Sequence, residues 1–334
     1  MKVLVTGGGG FLGRAIVEML LSRGDRVRIL ARSRYPDIAK LGAESVMGDI
    51  RDVDSCVQAC MGQDIVFHTA ALPGIWGNIQ TFESINVQGT RNIIAACKRR
   101  GVPKLIYTSS PSVVFDMKDE CGIDESAPYP ERFFNPYSET KARAEQEVLK
   151  ASGQDGLLTC SLRPHLLWGP RDNHLIPRLI DRARKRKLRI VGKGQNSVDL
   201  TYVENAAMAH LLAGDAIRTG RAAGQAYFIS DGRPVVLWEW INNLLKRLSI
   251  APATKHVSTR VAYAGGYLLE SWYAWRKRYD EPQMTRFLAR ALSCSHYYNI
   301  EKARRDFGYR PVVNAETGMQ RTLEYFRNYG IGTW

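Results

Sequence analysis

Few of the features that mark an extracellular, membrane-spanning or metal-bound chain occur in this sequence. Its six cysteines (Cys56, Cys60, Cys97, Cys121, Cys160 and Cys294) include no CxxC pair, and its six histidines show no ligand spacing. The common zinc frameworks are thereby excluded, and no metal is expected. Cys56 and Cys60 are expected on one helix face as a reduced, buried pair, which points to a reducing, cytoplasmic compartment. Met1–Val5 runs straight into glycines, leaving no room for the charged region, apolar core and cleavage site of a secretory signal. No apolar run approaches the ~20 residues that span a bilayer. Fixed-period repeats and low-complexity segments are absent too. So are helix-turn-helix, RRM and zinc-finger patterns, and nucleic acid is not an expected partner.

What the chain has in excess is positive charge. Forty-seven basic against 33 acidic side chains leave a net +14 over 334 residues. Part of it lies in Arg182–Arg189 and part in Arg276-Lys277-Arg278. Each run reads first as a solvated helix face, and beyond that as an attraction for cofactor phosphates, acidic substrates or an anionic membrane surface. At 45% hydrophobic and 24% charged the composition is that of a globular protein, long enough for a large core and a second lobe.

The first half alternates strand and helix. Lys2–Thr6, Arg26–Ala31, Ser45–Met47, Ile65–Thr69, Lys104–Ser109 and Thr159–Arg163 read as strands. Gly13–Arg23, Val53–Met61, Thr81–Arg100 and Pro136–Ala151 read as the helices between them. Repeated βα units predict an α/β fold with a doubly wound parallel sheet. After Pro164 the rhythm loosens into helices at Val203–Ile217, Leu237–Leu248 and Ala315–Tyr329 and a strand at Ala226–Ile229. The expected division is a nucleotide-binding domain over 1–165, with returning segments near 198–230, and a smaller C-terminal substrate lobe over 166–334.

Thr6-Gly7-Gly8-Gly9-Gly10-Phe11-Leu12-Gly13 follows the first strand and opens a helix. Gly7, Gly10 and Gly13 allow a tight turn, close approach of backbone to a diphosphate and close helix–strand packing, with helix N–H groups facing the phosphates. The pattern predicts a dinucleotide site of Rossmann type. An NAD-binding strand two usually ends in an acid, which accepts from the ribose hydroxyls. Here Ala31-Arg32-Ser33 stands instead, and a guanidinium pairs with a 2′-phosphate. The preferred cofactor is NADP, with NAD the alternative.

Tyr137 and Lys141 fall four residues apart on one helix face. A lysine cation lowers the pKa of a neighbouring phenol and fits it for proton transfer. Tyr107-Thr108-Ser109-Ser110-Pro111-Ser112 ends a predicted strand, where hydroxyls face the ligand crevice of a parallel sheet. Together these supply a hydride donor, a hydrogen-bond donor to a carbonyl and a proton source.

These features resemble the extended short-chain dehydrogenase/reductase superfamily over nearly the whole chain. The resemblance implies that Gly7, Gly10, Phe11, Leu12, Gly13 and Arg32 bind the cofactor. It adds Asp49 and Ile50 (from GDIRD), Ala70 and Ala71 (from VFHTAA), Asn86 (from INVQGT), Ser109 and Pro164, with Tyr137 and Lys141 shared with catalysis. By the same resemblance Ser110 is the catalytic hydroxyl, Tyr137 the acid/base and Lys141 its partner. Leu162–Pro170, Asp199–Asn205, Ala226–Ser230 and Tyr298–Pro311 resemble the 3β-hydroxysteroid dehydrogenase family. Pro73–Gly77 and Gly169–His174 are similar to its bacterial branch of 2-alkyl-3-oxoalkanoate reductases, with the sterol-4α-carboxylate 3-dehydrogenases next. Trp76, Ser112, His165, Arg171 and His174 are the implied substrate-side residues.

The expected reaction interconverts a 3-oxo and a 3-hydroxy group on a bulky, apolar small molecule. Nucleotide-sugar epimerases and dehydratases share the fold and triad and form the alternative class; a homodimer or an assembly with neighbouring enzymes fits either. Val261–Arg278 combines five tyrosines and tryptophans with a basic end. It leaves three readings open: a substrate-tunnel wall, a packed helix, or a peripheral anchor at the inner membrane surface.

Overall fold

Runs such as Lys2–Thr6 and Ile65–His68 are apolar without alternation, the pattern of strands covered on both faces. In the computed structural model, which describes residues 1–217 and 220–330, they form a seven-stranded, wholly parallel sheet. Its strands are β1 (Lys2–Thr6), β2 (Arg26–Ala31), β3 (Glu44–Met47), β4 (Ile65–His68), β5 (Lys104–Thr108), β6 (Leu158–Pro164) and β7 (Gln225–Ile229). Their order across the sheet is β7-β6-β5-β4-β1-β2-β3. Val3 and Val5 enter one core layer with Ile16 and Ile29, whereas Leu4 enters the opposite layer with Leu30 and Val66. The order reverses between β1 and β4, and their carboxyl ends frame the crevice in which such sheets bind ligands.

Two of the longer helices begin at asparagine caps. Pro136–Ala151 starts at Asn135, whose side chain accepts from Ser138 N–H, and Ala315–Tyr329 starts at Asn314 in the same way. The predicted helix over 81–100 starts earlier, at Ile79, and contains a π-helical segment, Glu83–Gln88. A four-stranded sheet pairs Glu120–Ile123 with short strands from beyond β6, where a second apolar core gathers around Trp168, Ile180, Trp238 and Leu245. One helix there, Leu175–Arg184, meets the helix face expected over Arg182–Arg189 only at 182–184. It ends inside the first basic run and leaves Lys185–Lys187 exposed. Positions 331–334 of the expected C-terminal lobe lie outside the described residues.

One buried ion pair joins the Pro136–Ala151 helix to β6. Arg163 donates from Nη2 to Glu145 at 2.6 Å and from Nε to both carboxylate oxygens at 3.1 Å. Tyr129 and Ser161 hydroxyls donate to the same carboxylate, each at 2.7 Å. Burial works to raise the Glu145 pKa, but Arg163 and the two hydroxyls hold it below the ordinary carboxylate value. Removing one partner of such a pair leaves a charge in the interior without compensation. Arg163→Met is therefore expected to cost about 3–5 kcal/mol in urea unfolding. The double variant Arg163→Met/Glu145→Leu should recover much of that loss; equal instability of the two variants would refute the assignment.

Candidate active site

The glycine loop follows β1 directly and is shaped by contact with the end of β4. Gly7 has φ +69°, and a Cβ there would lie 2.9 Å from Ala70 N. A Cβ on Gly13 would lie 2.2 Å from the Gly7 carbonyl oxygen, so neither position accepts a side chain without moving the loop. The helix that follows, Phe11–Ser22, has Gly10 at its N-cap, no side-chain cap and no acid in its first turn. Its leading N–H groups and positive dipole end are left to an anion. Leu12 turns its side chain into the core, so its part here is its backbone.

Above the loop runs a cleft lined by Gly7, Gly10, Ala31, Arg32, Ser33, Tyr35, Asp49, Ile50, Ala70, Ala71, Leu72 and Pro73. Of the expected cofactor residues it gathers Gly7, Gly10, Arg32, Asp49, Ile50, Ala70 and Ala71. Asp49 is engaged by Arg51, with Nη2 at 2.6 Å, and Arg51 and Arg32 help hold its pKa low. Tyr35 and Thr69, neither singled out among the expected cofactor residues, also line the cleft.

A directed hydrogen-bond chain fixes the floor. Ala70 N–H donates to Thr6 Oγ1 at 3.3 Å, Thr6 Oγ1 meets His68 Nδ1 at 2.7 Å, and His68 Nε2 meets Thr90 Oγ1 at 3.0 Å. Thr90 in turn donates to Asn86 O at 2.6 Å. This polarity assigns His68 as the neutral Nε2–H tautomer, consistent with burial pushing its pKa down to about 3. Asn86, inside the π-helical segment, clamps Leu72, accepting from its N–H at 2.7 Å and donating to its carbonyl at 3.2 Å. The same amide donates to Thr140 at 3.1 Å. Asn86 thus stands behind the cleft and sets the spacing between its wall and the helix that bears Tyr137.

Tyr137, Ser110 and Lys141 converge at the end of β5. The Ser110 side chain stands close enough to Tyr137 to favour its phenolate. Burial nonetheless raises the Tyr137 pKa above that of a free phenol, the Ser110 contact opposing it only in part. Lys141 is buried, donates to the Thr108 carbonyl at 2.5 Å and lies 4.0 Å from the Tyr107 ring centroid. Burial pulls its pKa down to about 7, which Glu145, one turn on, partly counteracts. The expected lowering of the Tyr137 pKa by Lys141 is therefore not met: the ammonium is turned to a strand-end carbonyl and a ring face instead. Ser109 and Ser112 hydroxyls are buried beside this group with no hydrogen-bond partner among the described residues. Orphaned hydroxyls of this kind, the side-chain-free loop and Arg32 together fit a nicotinamide dinucleotide.

The remaining expected residues are dispersed. Pro164 ends β6 and is buried. His165 is packed against His296 and Tyr298, its Nε2 at 3.1 Å from His296 Nδ1. Arg171 is engaged by Glu18 of the first helix at 2.9 Å. His174 stands at the start of Leu175–Arg184, beside a groove lined by Leu175, Leu179 and Trp238. Among the described residues no contact links Arg171 or His174 to Ser110 or Tyr137. Trp76 donates from its indole to Arg278 O at 3.0 Å, tying the Pro73–Gly77 loop to the end of the aromatic helix.

Lys141 carries a testable signature in the cofactor-free protein. Its folded pKa of about 7 lies below the ordinary 10.5, so between these values the unfolded chain binds the additional proton. The penalty of burying the charge is full below pH ~7 and is relieved as pH rises toward ~10.5. Urea midpoints of wild type should therefore rise over this window relative to those of Lys141→Met. Parallel profiles for the two proteins would contradict it.

Comparison with known proteins places this geometry. The sequence profile described as "3-beta hydroxysteroid dehydrogenase/isomerase family" matches residues 4–258. The 2-alkyl-3-oxoalkanoate reductase of Stenotrophomonas maltophilia is 46% identical over 325 residues, covering 96% of this chain and 98% of that protein. Sterol-4-alpha-carboxylate 3-dehydrogenase, decarboxylating, of Mus musculus is 35% identical, covering 98% and 91%. Among solved structures, that of gox2253 superposes with a TM-score of 0.81 at 28% identity, covering 99% of each chain. The chain belongs to the 3-beta hydroxysteroid dehydrogenase/isomerase family.

Proposed function

We propose that this protein is an NADPH-dependent oxidoreductase that reduces a 3-oxo group on a bulky, apolar substrate, a 2-alkyl-3-oxoalkanoate. The observation that carries this reading is the approach of Ser110 to Tyr137 at the end of β5, on the same sheet that presents a side-chain-free phosphate loop. The 46% identity to a 2-alkyl-3-oxoalkanoate reductase supports the substrate class.

In this mechanism Gly7, Gly10 and the N–H groups of Phe11 and Leu12 hold the diphosphate, and Arg32 with Ser33 takes the 2′-phosphate. The bound nicotinamide supplies hydride to the carbonyl carbon. Ser110 and Tyr137 hydrogen-bond the carbonyl oxygen, and Tyr137 gives its proton to the alkoxide as it forms. A phenol whose pKa lies above the ordinary value is protonated at neutral pH, the form that reduction needs. Lys141, one turn away, donates to the Thr108 carbonyl and would hold the nicotinamide ribose. Asn86 is a positioning residue, acting through Leu72 and Thr140.

Two substitutions test separate parts. Tyr137→Phe should lower kcat by about 10²–10⁴-fold, the usual worth of a general acid, while NADPH titrates by fluorescence as in wild type. Retained turnover would remove Tyr137 from the reaction. Arg32→Asp deletes a charge-assisted contact to the 2′-phosphate worth ~1.5–3 kcal/mol, so KM for NADPH should rise about ten- to a hundred-fold. KM for NADH should fall or hold. A panel of 3-oxo acids, 3-ketosteroids and UDP-sugars fixes the substrate class; turnover of a sterol with NADH alone would overturn both the cofactor and the substrate.

A further inference from the structure

The helix Thr259–Trp275 carries its polarity the wrong way round for a surface facing water. Ala262, Gly266, Glu270 and Tyr273 form the side packed on the protein, and a Cβ on Gly266 would meet the Thr285 carbonyl carbon at 2.6 Å. Its only carboxylate, Glu270, points inward, accepting from Arg286 N and Arg286 Nε at 2.6 Å each. The opposite side shows Val261, Leu268, Trp272 and Trp275, exposed to 63, 67, 42 and 74%. Spacings of seven, four and three residues set these four along one line. Tyr267 of the same helix is exposed as well. An ordinary surface helix turns its charges out and its apolar stripe in, and a contiguous apolar surface marks an interaction site.

Cations border this stripe from two distant parts of the sequence. The turn after Leu175–Arg184 places Lys185, Lys187 and Arg189 across a groove from Ala262, Gly265 and Leu269 of the helix. At the helix end Arg276 lies over the Trp275 ring at 4.9 Å and the Trp272 ring at 5.9 Å, with Lys277 beside it. Arg186, Lys187, Arg189, Arg276 and Lys277 are exposed and have no ion-pair partner among the described residues. No described helix is long and apolar enough to cross a membrane.

We infer that this face docks on an anionic lipid bilayer. The tryptophans sit at headgroup depth and the two basic runs lie against lipid phosphates. Charge argues against a second copy as the occupant, because an isologous contact would lay the basic runs of one chain against those of the other. The docked face is joined to the site. Trp76, from the loop that continues the cleft wall, donates to Arg278 O and meets the Tyr273 ring edge-on at 6.2 Å between centroids. Pro73, at the other end of that loop, lines the cleft, so the docked face and the cleft share the Pro73–Gly77 loop.

Co-sedimentation of the full chain, without substrate or cofactor, tests docking independently of the reaction. Vesicles of phosphatidylcholine alone are compared with vesicles containing phosphatidylglycerol. Wild type should pellet with the anionic vesicles and not with the neutral ones, and added salt should release it. Lys187→Glu/Arg189→Glu should weaken binding by at least about 25-fold, at ~1 kcal/mol per removed cation. Trp272→Ala/Trp275→Ala should weaken it as well. Both double variants should keep wild-type NADPH oxidation on a water-soluble, short-chain 3-oxo substrate, which shows that they fold. Overturning results are failure to pellet with phosphatidylglycerol vesicles, equal binding to neutral vesicles, or variants that bind like wild type. So is a concentration-dependent dimer that Trp272→Ala/Trp275→Ala abolishes, which would assign the face to a second copy.

Discussion

Positive charge held out of water at the carboxyl end of the sheet is the constraint on which the site rests. Lys141 and Arg163 are both buried there, and Glu145 is the anion placed among them. The carboxylate is saturated by Arg163, Tyr129 and Ser161, so it anchors the Pro136–Ala151 helix to β6 while leaving Lys141 only partly compensated. A lysine in that state is close to its titration point, whereas an exposed lysine is far from it. Helix position, strand register and proton affinity are thus consequences of one buried cluster.

A second network does for the cleft wall what the ion pair does for the helix. The chain from Ala70 through Thr6, His68 and Thr90 ends at the backbone of Asn86, and the Asn86 side chain returns to Leu72 and Thr140. Every member donates in one direction, which fixes a single tautomer for His68 and leaves no rotational freedom in the hydroxyls. The π-helical turn at Glu83–Gln88 is what brings Asn86 round to both partners, in keeping with the occurrence of such turns at functional sites.

Much of this was legible in the sequence. The sheet strands are short apolar runs because parallel strands are covered on both sides, and the first helix is announced by a glycine loop. The Tyr137/Lys141 spacing needs only helical periodicity. Features that depend on distant pairing were not legible. Arg171 meets Glu18, and His165 meets His296 and Tyr298, contacts that no local pattern announces. Most of the helix Leu175–Arg184 was hidden because its apolar stripe runs into a block of cations. The lowered phenol pKa failed for a local reason: a strand-end carbonyl offers Lys141 a nearer partner than the tyrosine.

The sheet order also bears on how the chain can be made. β6 ends at Pro164, but its outer neighbour β7 is drawn from Gln225–Ile229. Between the synthesis of the two, the nascent chain displays β6 as a bare sheet edge, with the Leu175–Arg184 and Val203–Ala216 helices emerging meanwhile. An unpaired edge is a template for association with other chains, and parallel pairing across such sequence distance is slow. Tyr227, Phe228 and Ile229 then seal that edge with large, fully buried side chains. The interval before they leave the ribosome is the vulnerable stage of biosynthesis, and it calls for chaperone cover or rapid elongation.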